Sequence, residues 1–599
     1  MSTATDLIAD PELQQTEWDL DPLVDGEGAD GANRMLDEAV ARATAYNETY
    51  AGKVAELDGE GLRAAMQELA EIEELVGRAG SYASLWFSTD TAEPERGALL
   101  QRVQERATEI QTKLLFLELE WAALDDERAD ELLRAPGLDF CRHFLRSARR
   151  YRPHLLSEPE EKILAEKSIA SEGAWARLFG ELMSALRVDL DGDELTLDVA
   201  LSRLQSPDRE VRRATAEAVS AALEPGLRTR GFIYNTLAFD KSVEDRLRNY
   251  PHWLASRNLA NEASDESVMA LIQAVRRRYD IPQRWYVLKA RLLGIDQIAD
   301  YDRAAPILSE DVVFSFGDSR ELVLDTYSGF SPKAGDITRR FFDERWIDGP
   351  PRPHKRGGAF CSYTVPSVHP YVLLNFTARR RDVLTMAHEL GHGLHAALAQ
   401  PQGIFQQSTP LTLAETASVF GETLVFERLL REAPNDEQRL GLLAERIDGA
   451  IATVFRQMAM NRYEHLVHTS RRNEGELSGD RLGELWVETQ AELFGESVEI
   501  TDGYRIWWSY IPHFINTPGY VYAYAYGQLL ALSVYGRYRE QGESFVPRYL
   551  EMLAAGGSRS PEQLAEIVGI DLGDPGFWDA GLALIEEQLA EAERLVSAR

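Results

Sequence analysis

The stretch His388-Glu389-Leu390-Gly391-His392 decides how this chain is read. Two histidines four residues apart on a helix point the same way, so both imidazoles can bind one metal ion. Glu389, between them, can reach water held beside that ion. His-Glu-x-x-His is the pattern of zinc hydrolases. Outward from it, Arg379 to Ala399 has helical periodicity, with Val383, Ala387, Leu390, Leu394 and Leu398 as the apolar stripe. His388, Gly391, His392 and His395 lie on an adjoining face. Gln400-Pro401 ends the run, because proline opposes continuation. Gly391 leaves room beside the metal face for another element to approach. The bare pattern also arises by accident in long chains, so its surroundings decide its weight.

A catalytic zinc site takes three protein ligands and leaves one position open. The metzincin arrangement needs Gly three residues and His six residues after the second histidine. This chain has His395 and Leu398 there, so that class fails. In a gluzincin the third ligand is a glutamate from a following helix. Thr409-Pro410 reads as a helix start, and Leu411 to Arg431 follows, carrying Glu415 and Glu422 seven residues apart on one face. Carboxylates amid Leu, Ala, Val and Phe are costly to bury unless paired or metal-bound. Glu415 reads as the third ligand. Glu422 either orients a ligand histidine or lies on solvated helix surface. His395 reads as packed on its own helix rather than as a fourth ligand. Two imidazoles and a carboxylate suit zinc, one ion per chain, and the same donors also accept cobalt or manganese.

The remaining sequence is that of a globular protein: 599 residues, 44% hydrophobic and 27% charged. A net charge of -34 repels nucleic acid and anionic membranes, which argues against both as partners. Two cysteines, Cys141 and Cys361, make no disulfide framework and fit a reducing compartment. Free thiols are the favoured state, and a single bridge is the alternative. Neither a signal peptide nor an apolar run of the ~18–20 residues a membrane span needs is present, so the cytoplasm is the expected location.

The pattern predicts a mainly α protein with an acidic, loosely packed leader over 1–30, a helical domain over 31–200 and a catalytic domain over 201–599. Leu62, Met66, Leu69, Ile72 and Val76 form one helical stripe, and helix returns over 94–133 and 200–293. Asp191-Gly192, between alternating runs, signals a hairpin. Residues 302–376 are richer in Gly, Pro and aromatics. They predict a small β-sheet beside the metal helix, with strands at Val312 to Phe314 and Tyr371 to Phe376 and a turn at Gly357-Gly358. Tyr520, Tyr522, Tyr524 and Tyr526 alternate as a strand would, but the run continues into Gly527, Leu529, Leu530 and Leu532, which suits a helix. On a helix Tyr520 and Tyr524 share one face.

The residues His388 to His395, with Ala414-Glu415-Thr416-Ala417-Ser418 and Gly421-Glu422, resemble the oligoendopeptidase F branch of the thimet oligopeptidase family. So do Trp18-Asp19-Leu20, Pro370-Tyr371 through Asn375-Phe376, and Ile511-Pro512-His513-Phe514 followed by Tyr520 to Ala525. The resemblance implies a zinc endopeptidase for short peptides. It also implies a large, prolate multi-helix fold with a deep substrate channel and the metal at its base. His388, His392 and Glu415 match the zinc ligands and Glu389 the catalytic base. His513, Tyr520 and Tyr524 match groups that face the scissile carbonyl. The chain departs from the branch by one extra residue before the tyrosine run, at Asn516-Thr517-Pro518-Gly519, and by Tyr526 where a smaller residue is usual. Which tyrosine reaches the substrate therefore stays open.

The expected chemistry is hydrolysis of internal bonds in unstructured oligopeptides, with the run Tyr371 to Phe376 pairing its backbone with extended substrate. Gly357-Gly358 forms either a flexible turn over the channel or a plain tight turn, and Cys361 reads as structural. A metallocarboxypeptidase or peptidyl-dipeptidase shares the metal motif, and a non-catalytic peptide-binding protein is the rival from another class. Oligomeric state is not encoded in any of these features.

Overall fold

The computed structural model describes residues 7–168, 170–307 and 312–598. Helix makes up 72% of it, with only small sheets, so the mainly α expectation holds. The chain divides into two compact units, each assembled from separate stretches of sequence.

The first unit takes in residues 7–152, 312–429 and 534–571. Its long helices Gly28–Tyr50, Gly59–Thr89 and Pro94–Ala123 pack on one another. Leu62, Met66, Leu69 and Ile72, the stripe read from the sequence, are buried with Tyr46, Trp121 and Leu145. A neighbouring core joins these helices to a three-stranded sheet through Trp18, Tyr82, Val365, Tyr371 and Leu373. Trp18 packs edge-on against Tyr371 at 5.9 Å, and the Tyr371 hydroxyl donates to the Asp19 carbonyl at 2.7 Å. The leader is therefore not loosely packed throughout. Leu13, Trp18, Leu23 and Val24 are buried, because four apolar side chains spaced among the acids find a ready core. Residues 1–6 of that leader lie outside the described residues.

The sheet is smaller than the sequence predicts. Tyr371–Leu373 is its middle strand, parallel to Ile347–Asp348 and antiparallel to Phe360–Ser362, with Cys361 opposite Val372. Residues 374–376 lie beyond the strand proper, although the Leu374 N–H still donates to the Asp348 carbonyl at 2.8 Å and the Phe376 N–H to that of Gly349 at 3.0 Å. Val312 to Phe314 contributes only a bridge from Val313 to Arg379. Gly357 and Gly358 lie in the bend before Phe360–Ser362, where the φ of +80° at Gly358 is one that glycine adopts at little cost. A middle strand has both backbone edges occupied. The expected pairing of Tyr371 to Phe376 with a substrate is accordingly corrected, and the edge strand on that side is Phe360–Ser362.

Beside this sheet lies the histidine helix, Arg380–Ala399. Asp382 starts it by accepting the backbone N–H of Thr377 at 2.7 Å and of Arg379 at 3.0 Å. Pro401, in a short tight turn over Gln400–Gln402, ends it. The glutamate helix, Leu411–Glu432, follows.

The second unit takes in residues 153–168, 170–307, 430–533 and 572–598. Arg187–Leu190 and Asp193–Thr196 form the expected hairpin, with φ of +58° at Asp191 and +88° at Gly192. Left-handed conformation at both central residues is what a two-residue turn matched to strand twist requires. The helices Leu227–Leu247 and Arg456–Glu474 pack together, as do Arg456–Glu474 and Gly479–Phe494. The tyrosine run resolves as helix from Tyr522 to Gln541, with Tyr522 and Tyr526 fully buried. Cys141 and Cys361 are unbridged, and no helix among the described residues is long and apolar enough to cross a membrane.

Candidate active site

Glycine brings the two site helices together. A Cβ at Gly391 would stand 2.5 Å from the Ala417 carbonyl oxygen and 2.6 Å from Ser418 Cα, so the glutamate helix lies directly on the glycine. At Gly421 the space a Cβ would need is filled by the Tyr327 hydroxyl, which donates to the Ala387 carbonyl at 2.7 Å. These contacts put Glu415 beside the histidine pair.

The donor atoms of His388, His392 and Glu415 all lie within 4.8 Å of one another, and among the described residues this is the one such grouping of His, Cys, Asp or Glu. Glu415 Oε2 is 3.3 Å from His388 Nε2 and 3.7 Å from His392 Nε2. Ligands ~2.0–2.1 Å from a tetrahedral zinc stand roughly 3.4 Å apart, so the spacing and the nitrogen–nitrogen–oxygen chemistry fit such an ion. On its other side, His388 Nδ1–H donates to Glu422 Oε2 at 3.0 Å. That bond fixes a proton on Nδ1, so Nε2, turned toward Glu415, is the nitrogen that would bind a metal ion on giving up its own proton. The Ser418 hydroxyl donates to Glu415 Oε2 at 2.9 Å.

Burial and neighbouring charge divide the titrating groups. Burial would hold His388 neutral, but its hydrogen bonds with Glu415 and Glu422 outweigh this and lift it to about 10. His392 has less carboxylate support, and burial lowers it to about 4. Burial would raise Glu415 as well, but the two imidazoles and Ser418 bring it down to about 2. Glu389 is 7% exposed; burial lifts its carboxyl to about 7, opposed by His388 and reinforced by the charges of Glu415 and Glu422. His395 is 2% exposed, and burial lowers it to about 3. Its ring lies edge-on to Tyr363 at 6.1 Å, and Tyr363 also lies 6.5 Å from His392. Burial pushes the Cys361 thiol well above its ordinary range, and the Glu389 charge adds to this.

His513, Tyr520 and Tyr524 belong to the second unit and form a cluster of their own. His513 Nε2 and the Tyr524 hydroxyl share a hydrogen bond at 3.1 Å. The Tyr520 ring is 6.2 Å from the His513 ring and 5.1 Å from that of Tyr524. Burial, with Arg456 nearby, lowers the His513 pKa.

Sequence reasoning gave no role to Ser418 and passed over Tyr363. Ser418 was findable, since a serine three residues after a helical carboxylate shares its face. Tyr363 carries no local signal.

A helical fold with a histidine pair, an interposed glutamate and a third carboxylate defines a metalloendopeptidase when set beside the known proteins it matches. Peptidase family M3 matches residues 329–584, and the oligopeptidase F family matches residues 120–187. Oligopeptidase PepF of Bacillus subtilis is 26% identical over 564 residues, 91% of this chain and 82% of the relative. Group B oligopeptidase PepB of Streptococcus agalactiae is 28% identical over 545 residues, 88% of this chain and 90% of the relative. The crystal structure of oligoendopeptidase-F from Enterococcus faecium has the same fold, with a TM-score of 0.73 at 21% identity over 95% of this chain and all of that one. The chain belongs to peptidase family M3, in its oligoendopeptidase F branch.

Proposed function

We propose that the chain is a zinc-dependent endopeptidase that cuts internal bonds of short, unstructured peptides. His388, His392 and Glu415 would hold the ion, and Glu389 acts as the general base. The observation that carries this reading is the convergence of three donors beside a buried carboxyl. Zinc, when bound there, supplies Lewis-acid chemistry that polarises oxygen and eases its loss of a proton. Glu389 accepts a proton from the attacking water on a carboxylate oxygen and hands it to the leaving amine nitrogen, so the carboxylate is regenerated each turnover. Glu422 holds His388 through Nδ1 and keeps Nε2 available. Phe360–Ser362, the edge strand beside the histidine helix, offers its backbone to an extended peptide, which gives grip without strict side-chain preference.

His513 with Tyr520 or Tyr524 donates hydrogen bonds to the developing oxyanion. The His513–Tyr524 bond fits this assignment with Nε2–H as the donor, because the phenol is then oriented through its oxygen and keeps its O–H to donate. Tyr524→Phe is expected to lower kcat by about 10²-fold, the usual effect of losing one oxyanion donor, with KM little changed. An unaltered kcat removes Tyr524 from that role.

The names of the two relatives, both oligopeptidases, support short peptides as substrates. Metal analysis by mass spectrometry, run alongside cleavage of a quenched peptide blocked at both ends, tests the whole reading. One zinc per chain and an internal cut are expected, with activity lost to a chelator and restored by zinc. Cleavage confined to peptides with a free terminus would point instead to a carboxypeptidase or peptidyl-dipeptidase. Absence of both metal and cleavage would leave a binding protein. Glu422→Ala is expected to weaken zinc binding about 10–100-fold in competition with a chelator; wild-type affinity would take Glu422 out of the site.

A further inference from the structure

The loop that departs from the branch pattern, Asn516 to Gly519, is anchored by a carboxyl buried in the second unit. Glu464 sits midway along Arg456–Glu474 and is completely shielded from solvent. Its Oε1 accepts the backbone N–H of Gly519 at 2.8 Å, while Oε2 has no hydrogen-bond partner. Gly519 has φ +74° and packs so closely that a Cβ would stand 2.7 Å from Leu254 Cδ1. Arg257 Nε donates to the adjoining Pro518 carbonyl at 3.4 Å, and its guanidinium lies 6.0 Å from the centre of the Tyr520 ring. The backbone is thus pinned at the two residues directly before Tyr520.

Those contacts bear on how the cluster is held. His513 opens the short helix His513–Asn516, and Tyr524 rides on the helix Tyr522–Gln541. Tyr520 lies between them, on the turn itself, where the Tyr520 N–H donates to the Thr517 carbonyl at 3.1 Å. Its direction is set by the backbone at Gly519, a residue with wide conformational freedom unless held. A buried carboxyl is costly, and one with an unpartnered oxygen more so. Burial lifts this one to about 8, with the Gly519 N–H and the Arg257 charge opposing. Apolar side chains would close the same space at less cost, so the acid's hold on Gly519 is the contribution they could not make.

We propose that Glu464 is a positioning residue: by fixing the Gly519 amide it sets Tyr520 against His513 and Tyr524. The role in turnover rests on the reading of that cluster as the carbonyl-facing group, whereas the hold on the loop does not. The test uses full-length, zinc-loaded enzyme and three variants. Glu464→Gln keeps an oxygen that can accept from Gly519 and should stay within threefold of the wild-type kcat. Glu464→Met keeps the length without the acceptor and should lower kcat tenfold or more, with KM within twofold. Glu464→Asp is too short to reach and should behave as Glu464→Met, which keeps the test decisive if the methionine variant does not fold. Metal content should be equal in all.

The second readout is the ring 15N resonance of His513 in histidine-labelled protein. It should move in Glu464→Met and Glu464→Asp and return in Glu464→Gln. A resonance unmoved in both of the former variants overturns the proposal whatever the rates. A glutamine variant as impaired as the methionine one also overturns it. A resonance that moves and is rescued while kcat stays constant upholds the positioning and sinks the cluster's part in catalysis.

Discussion

Glu389→Gln is expected to retain one zinc per chain and to lose at least about 10³-fold in kcat/KM on a quenched peptide blocked at both ends. Glutamine matches the carboxyl in size, so the helix and its flanking ligands stay in place. It cannot accept the proton that the attacking water must release, and a positioned general base contributes about 10²–10⁴-fold, with a second transfer to the leaving amine depending on the same group. The variant should also be the more stable protein once metal is removed. Glu389 has a folded pKa of about 7 against an ordinary 4.5, so the folded chain holds its proton more tightly than the unfolded one. Stability conferred by that proton is complete below pH 4.5 and is lost as pH rises to 7. At neutral pH the ionised carboxylate therefore opposes folding, by on the order of 1–3 kcal/mol, and the neutral amide removes that cost. Mass spectrometry, peptide cleavage and thermal melting of chelated protein at pH 5 and pH 7.5 check each part. Turnover at the wild-type rate would show that another group takes the proton. A melting difference as large at pH 5 as at pH 7.5 would show that the carboxyl is not burdened by its charge.

The parts of this site legible in sequence are those whose geometry one helix dictates. His388 and His392 share a face because of the helical period, and Glu415 and Glu422 share another for the same reason. Their partners across helices were legible only as alternatives. Glu422 read equally as an orienting group or as surface until its carboxylate was found 3.0 Å from His388 Nδ1. The hairpin at Asp191-Gly192 was legible because the turn needs left-handed residues. The strand at 312–314 was overread, since an apolar run becomes a strand only where a neighbour completes its ladder. That at 371–376 was read too long, since beyond Leu373 only single bonds to Asp348 and Gly349 continue the pairing. The alternating tyrosines were ambiguous because a buried helical pair, Tyr522 and Tyr526, interleaves with a second pair, Tyr520 and Tyr524. Glu464 carried no signal at all: a single acid in a helix reads as surface, and only the distant Gly519 amide reveals it. The two compact units were equally hidden, because each gathers separate stretches of chain and the shift in composition near residue 302 accompanies only one of the boundaries between them.

Gly391→Ala should cost the enzyme both its metal and part of its stability, although alanine is the better helix former. In an open helical position the exchange gains about 1 kcal/mol. Gly80, within Gly59–Thr89, is such a position, with nothing within 4 Å of a new Cβ, and Gly80→Ala should raise the melting temperature. At Gly391 the same methyl meets the Ala417 carbonyl oxygen at 2.5 Å and Ser418 Cα at 2.6 Å. Both are backbone atoms in mid-helix and cannot rotate aside, so the two helices must separate by roughly an ångström to restore ordinary contact. Overpacking of this kind costs about 1–3 kcal/mol, which outweighs the propensity gain and leaves a net loss. The displacement falls where it matters for binding, because Glu415 is three residues from Ser418 and His392 is next to Gly391. Donor atoms now 3.3 and 3.7 Å apart would move beyond the spacing one ion can span. Zinc affinity is expected to fall at least about 100-fold in chelator competition, with activity falling in parallel at limiting zinc and partly returning at excess. Calorimetry of both alanine variants, with and without metal, separates the two contributions. If Gly391→Ala melts with Gly80→Ala and binds zinc as tightly as wild type, close approach of the helices is not what assembles the donor set.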